Sequence, residues 1–186
     1  MHPNTSRRSF LKLTSAAASV ALAPAAFAAD KQRGIQKAIM WGTVGVKGSV
    51  LEKMQQVKAA GFLGVEPNGG MNREEVVAAL KETGLKAASV CCHTHWAKPL
   101  SAPDEATRKI GYDGLVLSLG DAKAYGATSV LLVPGVVNDK VSYDDCFKRC
   151  VEEIKKAAPV AKDLGVKIAI ENVWNNFLLS PLEAAR

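Results

Sequence analysis

What the chain lacks narrows its chemistry first. It has no Cys-x-x-Cys pair, so its four cysteines do not read as a zinc-binding set. The nearest approach to a glycine-rich phosphate loop, GTVGVKGS at 42–49, is neither GxGxxG nor GxxxxGK followed by Ser or Thr, which removes the common nucleotide signatures. Its lysines are scattered and not interleaved with aromatics, so there is no basic stripe for nucleic acid. The N-terminal apolar run, Leu13 to Ala23, is shorter than the roughly 20 residues that span a bilayer. No linker or low-complexity stretch divides the remainder of the chain. What is present is ordinary globular composition: 186 residues, 48% hydrophobic and 23% charged, enough for one domain with a sizeable core.

The first 28 residues read as an address label. SRRSFLK (Ser6 to Lys12) carries a twin arginine, an Ala- and Ser-rich apolar run comes next, and AFA (Ala26 to Ala28) has the small-x-small form of a cleavage site. In that order they resemble a bacterial twin-arginine export signal. The resemblance implies a folded passenger released to the periplasm, or exported otherwise by that route, with no membrane span left after cleavage. Losing Arg7, Arg8 and Lys12 lowers the formal charge from +6 to +3. In an oxidising compartment the cysteines could pair. However, Cys91 and Cys92 are adjacent, and Cys146 and Cys150 lie four apart on a predicted helix, a poor fit to disulfide geometry. Buried free thiols are the expectation.

Residues 29–186 then alternate strands with helices. Short apolar runs at Ala38–Gly42, Leu63–Pro67, Leu85–His93, Ser129–Gly135 and Val166–Asn172 read as five strands. Between them lie helical patterns from Ser49, from Asn72, from about Asp104, and through Phe147, Val151, Ile154, Ala158, Ala161 and Leu164, which recur on one face. Gly61, Gly84, Gly126 and Gly165 each fall between a helix and the next strand, where a left-handed cap belongs. Such alternation implies right-handed crossovers and a parallel sheet. With no phosphate loop, and with polar residues at several strand C-termini, the α/β fold is expected to be a (β/α)8 TIM-barrel type of which about five units are present.

Those strand ends supply the candidate site: Trp41, Glu66, His93, His95, Glu171 and Asn172, with Trp174 just beyond. On the third strand, strict alternation puts Ala87, Ser89, Cys91 and His93 on one face; if the backbone stays extended, His95 lies on the same side. The histidines could bind substrate hydroxyls, contact a metal or its water, or be structural. On the fifth strand, Lys167, Ala169 and Glu171 share a face. A carboxylate ending an apolar strand is costly to bury unless it is paired or holds a cation; a metal ion and an ion pair are the two readings. Trp41 and Trp174 are open between core packing and substrate contact.

RRSFLK at the front, then GVEPNG, SVCCHTHW, LLVPG and IAIENVWNNFLLSP on successive strands, resemble the sugar phosphate isomerase/epimerase family, barrels of the xylose-isomerase-like superfamily that include hydroxypyruvate isomerase and ketose 3-epimerases. The resemblance implies that Glu171 is both a ligand of a divalent metal (manganese, with magnesium or cobalt as alternatives) and the base that moves a proton beside a carbonyl, giving an enediolate. It implies that His93, His95, Trp41, Glu66, Asn172 and Trp174 bind a small-molecule sugar. The word phosphate is not supported by any Arg or Lys cluster in the strand-end loops. Some members carry a substrate-binding Glu where this chain has Phe177. The later-strand Asp, His and Glu of the family's site lie beyond this sequence, so a C-terminally truncated form is expected, with open sheet edges available for pairing with another copy. The same residues support two other readings: a non-catalytic sugar-binding or dimerising fragment, and a metal-dependent hydrolase similar to the DNA-repair endonucleases of the superfamily.

Overall fold

Among the described residues every α-helix starts where a capping side chain stands. A computed structural model describes residues 34–185, so the export signal expected at 1–28 lies outside the described residues. Ser49 and Glu52 form a reciprocal capping box at the start of α1 (Val50–Ala59). Asn72 caps α2 (Arg73–Thr83) by accepting from the Glu74 and Glu75 amides, Asp104 caps α3 (Glu105–Tyr125), and Ser142 caps α4 (Tyr143–Leu164). A last short helix, α5 (Pro181–Ala184), starts at Ser180. At the other ends, all four glycines between helix and strand take positive φ.

The strands are short and parallel. β1 (Ala38–Met40) pairs with β2 (Gly64–Glu66), and β2 with β3 (Lys86–Ala87). β4 (Val90–Cys91) pairs with β5 (Ser129–Leu132), and β5 with β6 (Lys167–Ile170). The third sequence strand is therefore two pieces. Val65 pairs with Ala87, but Asn68 bridges to Cys91, so the third strand carries one residue more than its partner over that stretch. This is a β-bulge, and it corrects the strict alternation expected from Leu85 to His93. Ala87 packs towards the helices, whereas the Ala88 methyl lies on the side of Gly64. From Ser89 to Cys91 the expected alternation holds, with Val90 in the core and Cys91 on the concave face, and from His93 the chain is in a turn.

The bulge does not break the sheet, because the Cys91 amide donates to Pro67 and the Gly69 amide to Cys91. The strands succeed one another in chain order without the reversal of a doubly wound sheet. Val65, Val90, Val130 and Leu132 on the convex face are buried against Met54, Val76, Leu115 and Leu119 of the helices. Fully burying side chains of this size stabilises by roughly 1.5–3 kcal/mol each. The other face is concave, and the strand C-termini open at one end of it. The fold is a partial TIM barrel of parallel βα units. Among the described residues no helix is long and apolar enough to cross a membrane.

Candidate functional site

The concave face ends in a cleft of about 400 Å³ at the C-terminal ends of β4, β5 and β6. Its walls include Asn68, Cys91, His93, His95, Trp96, Glu171 and Trp174, over an apolar floor of Met40, Leu131 and Val133. Glu171 arrives there because β6 presents Lys167, Ala169 and Glu171 on one face, and its own amide is fixed by the Leu132 carbonyl at 2.9 Å.

His93 is exposed at the rim. Its ring packs against the Gly69–Gly70 turn, where an added β-carbon would lie 3.1 Å from Nδ1 and 3.3 Å from Nε2 respectively. His95 reaches the cleft by a different path from the one expected. The chain turns over after Cys92, and the Lys98 amide closes onto the Thr94 carbonyl at 2.7 Å. His95 thereby tucks in to 6% exposure. Its Nδ1 accepts from the Val133 amide at 3.2 Å, so the neutral ring carries its proton on Nε2. Burial, reinforced by His93, pushes its pKa down from 6.5 to about 4. His95 is a neutral hydrogen-bond donor at neutral pH.

The same turn brings up Trp96, which sequence reasoning left out of the site. Its ring meets His95 edge-on at 5.6 Å and stacks at a 30° tilt on Trp174, centroids 5.1 Å apart. Trp96 and Trp174 are 42% and 85% exposed, so an aromatic wall runs from the buried imidazole to the rim. Cys91 was also missed. It lies on the concave face, where burial, then Cys92, Glu66 and Glu171, push its thiol up to about 11 and keep it protonated.

Three of the expected residues do not line the cleft. Trp41 sits in a 3-10 turn, half-buried against the core, with Lys53 Nζ 5.5 Å from its ring centre. Glu66 ends β2 and accepts from the Ser89 hydroxyl at 2.7 Å. Asn172 is exposed, with its neighbours Glu171 and Val173 taking the cleft side.

Two residues of the WNNF stretch are anchors instead. Asn175, buried, donates from Nδ2 to the Gly135 carbonyl at 2.7 Å, and its own carbonyl accepts from the Val137 amide at 3.0 Å. Its Oδ1 has no partner among the described residues, a cost of about 1–3 kcal/mol that these bonds must offset. Phe177 is buried beside Tyr143 and Phe147. Adjacent asparagines after a site carboxylate were a readable sign of a tight turn.

All four cysteines are free and buried. Among the described residues no three His, Cys, Asp or Glu side chains converge closely enough to hold a metal ion. Glu171 offers one carboxylate where a hard cation takes roughly six oxygens, and His95 Nδ1 is already occupied. The residues present do not by themselves fit a divalent ion. No Lys or Arg lines the cleft.

The xylose isomerase-like TIM barrel family matches residues 54–186, and the chain belongs to it. Among solved structures, a 3-keto-D-glucoside 4-epimerase from E. coli is similar at TM-score 0.66 and 22% identity, over 76% of this chain and 57% of that one. An AP endonuclease, family 2, from Brucella melitensis is similar at TM-score 0.62 and 19% identity, over 74% and 55%. An IOLI protein solved with a bound zinc atom is similar at TM-score 0.58 and 15% identity, over 73% and 51%. The chain thus spans a little over half the length of the structures it resembles. A comparison with curated proteins finds no match.

Proposed function

We propose that this chain carries part of the site of a sugar isomerase or epimerase, with Glu171 as the proton-transfer base. One observation supports it above the others: Glu171, His93, His95 and the Trp96–Trp174 wall share a single cleft lined by no Lys or Arg. A carboxylate beside a neutral imidazole donor suits abstraction of a proton next to a carbonyl. Glu171 takes the proton, while His95 Nε2–H donates to the substrate oxygen on which negative charge develops. The tryptophan faces suit the apolar C–H face of a sugar, and the lack of Lys and Arg favours an unphosphorylated one. His93, at the rim, is placed to bind hydroxyls. Glu66, Asn172 and Trp41 have lesser claims as substrate contacts.

A divalent metal, manganese or alternatively magnesium or cobalt, enters this proposal only with Glu171 as one of its ligands. Export by the twin-arginine route to the periplasm belongs to the same proposal, and cell fractionation beside an Arg7→Lys, Arg8→Lys variant tests it. So does pairing with a second copy through the edges of β1 and β6, each of which is paired on one side only among the described residues. Similarity to an AP endonuclease keeps a hydrolytic reading in view, but a cleft lined by no Lys or Arg is poorly suited to a phosphodiester backbone. A purely sugar-binding role uses the same wall without Glu171.

The test is exchange of substrate C–H hydrogen for solvent deuterium, monitored by NMR over a panel of ketoses and keto-glycosides, beside Glu171→Gln. Exchange lost in the variant supports the base role. Sugar binding equal in both proteins, with no exchange in either, favours the binding module.

A further inference from the structure

The segment leaving β5, Val133 to Val137, has no regular secondary structure, yet its backbone is tied at every residue. The Val133 amide donates to His95 Nδ1 at 3.2 Å. The Pro134 carbonyl accepts from the Cys150 thiol at 2.9 Å. The Gly135 carbonyl accepts from Asn175 Nδ2 at 2.7 Å, the Val136 amide donates to Ser101 Oγ at 3.0 Å, and the Val137 amide donates to the Asn175 carbonyl at 3.0 Å. One irregular strip of backbone therefore fastens both walls of the cleft, the His95–Trp96 turn on one side and the Trp174–Asn175 turn on the other. Buried backbone groups demand such partners, but they need not come from two walls of one cleft.

We infer that Asn175 is a positioning residue: by gripping the backbone at Gly135 and Val137 it holds the downstream side of the Val133 amide, whose upstream side the Glu171–Leu132 bond holds, and so helps keep His95 in its Nε2–H form. A histidine tautomer is set by the hydrogen bond its other nitrogen makes. Here that bond comes from the Leu132–Val133 peptide, whose carbonyl accepts from the Glu171 amide at 2.9 Å at the end of the β5–β6 ladder; beyond that rung the backbone is held two residues on by Asn175. Asn175 suits the task because it bonds twice to the segment, once from its side chain and once from its backbone. The functional meaning of the anchor rests on the reading of the cleft as a sugar site; the anchor itself does not.

The experiment reads the His95 ring nitrogens by 15N NMR at neutral pH, needing neither metal nor turnover. It uses the whole chain as wild type, Asn175→Ala, the milder Asn175→Ser, and Val76→Ala, a buried α2 position remote from the cleft, as a control for destabilisation. Wild type is expected to show a single Nε2–H tautomer. The Asn175 variants are expected to lose that pattern for a mixture, with the Val76→Ala pattern unchanged. Retention of the single tautomer in a folded Asn175 variant overturns the proposal, as does equal loss in Val76→Ala. If neither Asn175 variant folds, amide exchange in the wild type decides: Val133 and Val137 are expected to open together as one unit, and a Val133 amide that exchanges freely while Val137 stays protected overturns it. Absence of any sugar turnover would count against the proposed function and leave this inference standing.

Discussion

Gly135→Ala should be among the most damaging single-methyl additions in this chain. The added β-carbon would lie 2.6 Å from the Cys150 sulfur, 2.7 Å from the Cys146 sulfur and 2.9 Å from Ser101 Cβ. Comfortable contacts are roughly 3.5–4.0 Å, so three neighbours must each give by about 1 Å. Gly135 does not have positive φ, so the cost is contact and not backbone conformation. Overpacking costs about 1–3 kcal/mol. The upper end applies here because the Gly135 backbone is tied to Asn175 and its flanks to Cys150 and Ser101. For a chain of this length 3 kcal/mol lowers Tm by about 6–12 °C, readable by circular dichroism. Cys146→Ala in the same chain removes one of the three clashes. The double variant should therefore be about 1 kcal/mol more stable than the two single effects added together. A Gly135→Ala protein melting within about 2 °C of wild type, or a strictly additive double variant, would refute the reasoning.

Two further outcomes are expected at the cleft. His95 has its folded-state pKa depressed, so its neutral-form stability is complete above its unfolded value of 6.5 and is lost as pH falls towards about 4. The loss is about 2 kcal/mol at pH 5 and about 3 kcal/mol at pH 4. Urea midpoints of wild type and His95→Gln across that window should converge as pH drops; parallel curves would mean the imidazole is not buried neutral. Trp174, mostly exposed, should tolerate Ala within about 0.5 kcal/mol of stability. The same variant should lose several-fold in sugar affinity by calorimetry, and unchanged affinity would remove the aromatic wall from the site.

The repeat of strands and helices was legible because each boundary carries its own chemistry: Ser49, Asn72 and Asp104 to start helices, Gly84, Gly126 and Gly165 to end them. The face of Glu171 was legible because β6 is regular. The bulge between Ala87 and Cys91 was not. One extra residue leaves no mark in composition, and it decides which of Ala87 and Ala88 faces inward. Trp96 was hidden for a related reason. An extended continuation after His93 carries the chain away from the cleft, whereas the turn at Thr94–Lys98 folds it back. That turn depends on α3 lying close, which Gly111 and Gly114 permit. A β-carbon at either would collide with the Lys98 carbonyl or the Thr94 hydroxyl. These glycines look in sequence like flaws in a helix and are its contact with the site.

IENVWNNFLL shows how one motif can serve two ends. Glu171, Val173 and Trp174 face the cleft, a spacing that neither a strand nor a helix produces. Asn176 and Leu178 both take φ of 56°, where a non-glycine residue costs roughly 1–2 kcal/mol. Burying Leu178 and Phe177 offsets that cost. The strained reversal swings Asn175 onto the Val133–Val137 segment and leaves Trp174 in solvent beside Trp96. Removing the buried anchors would therefore disturb the aromatic wall even though they never touch what it binds. A motif read only for chemistry would assign all its polar residues to the substrate. Here the tightest of them, Asn175, spends its hydrogen bonds on the backbone that the site is built upon.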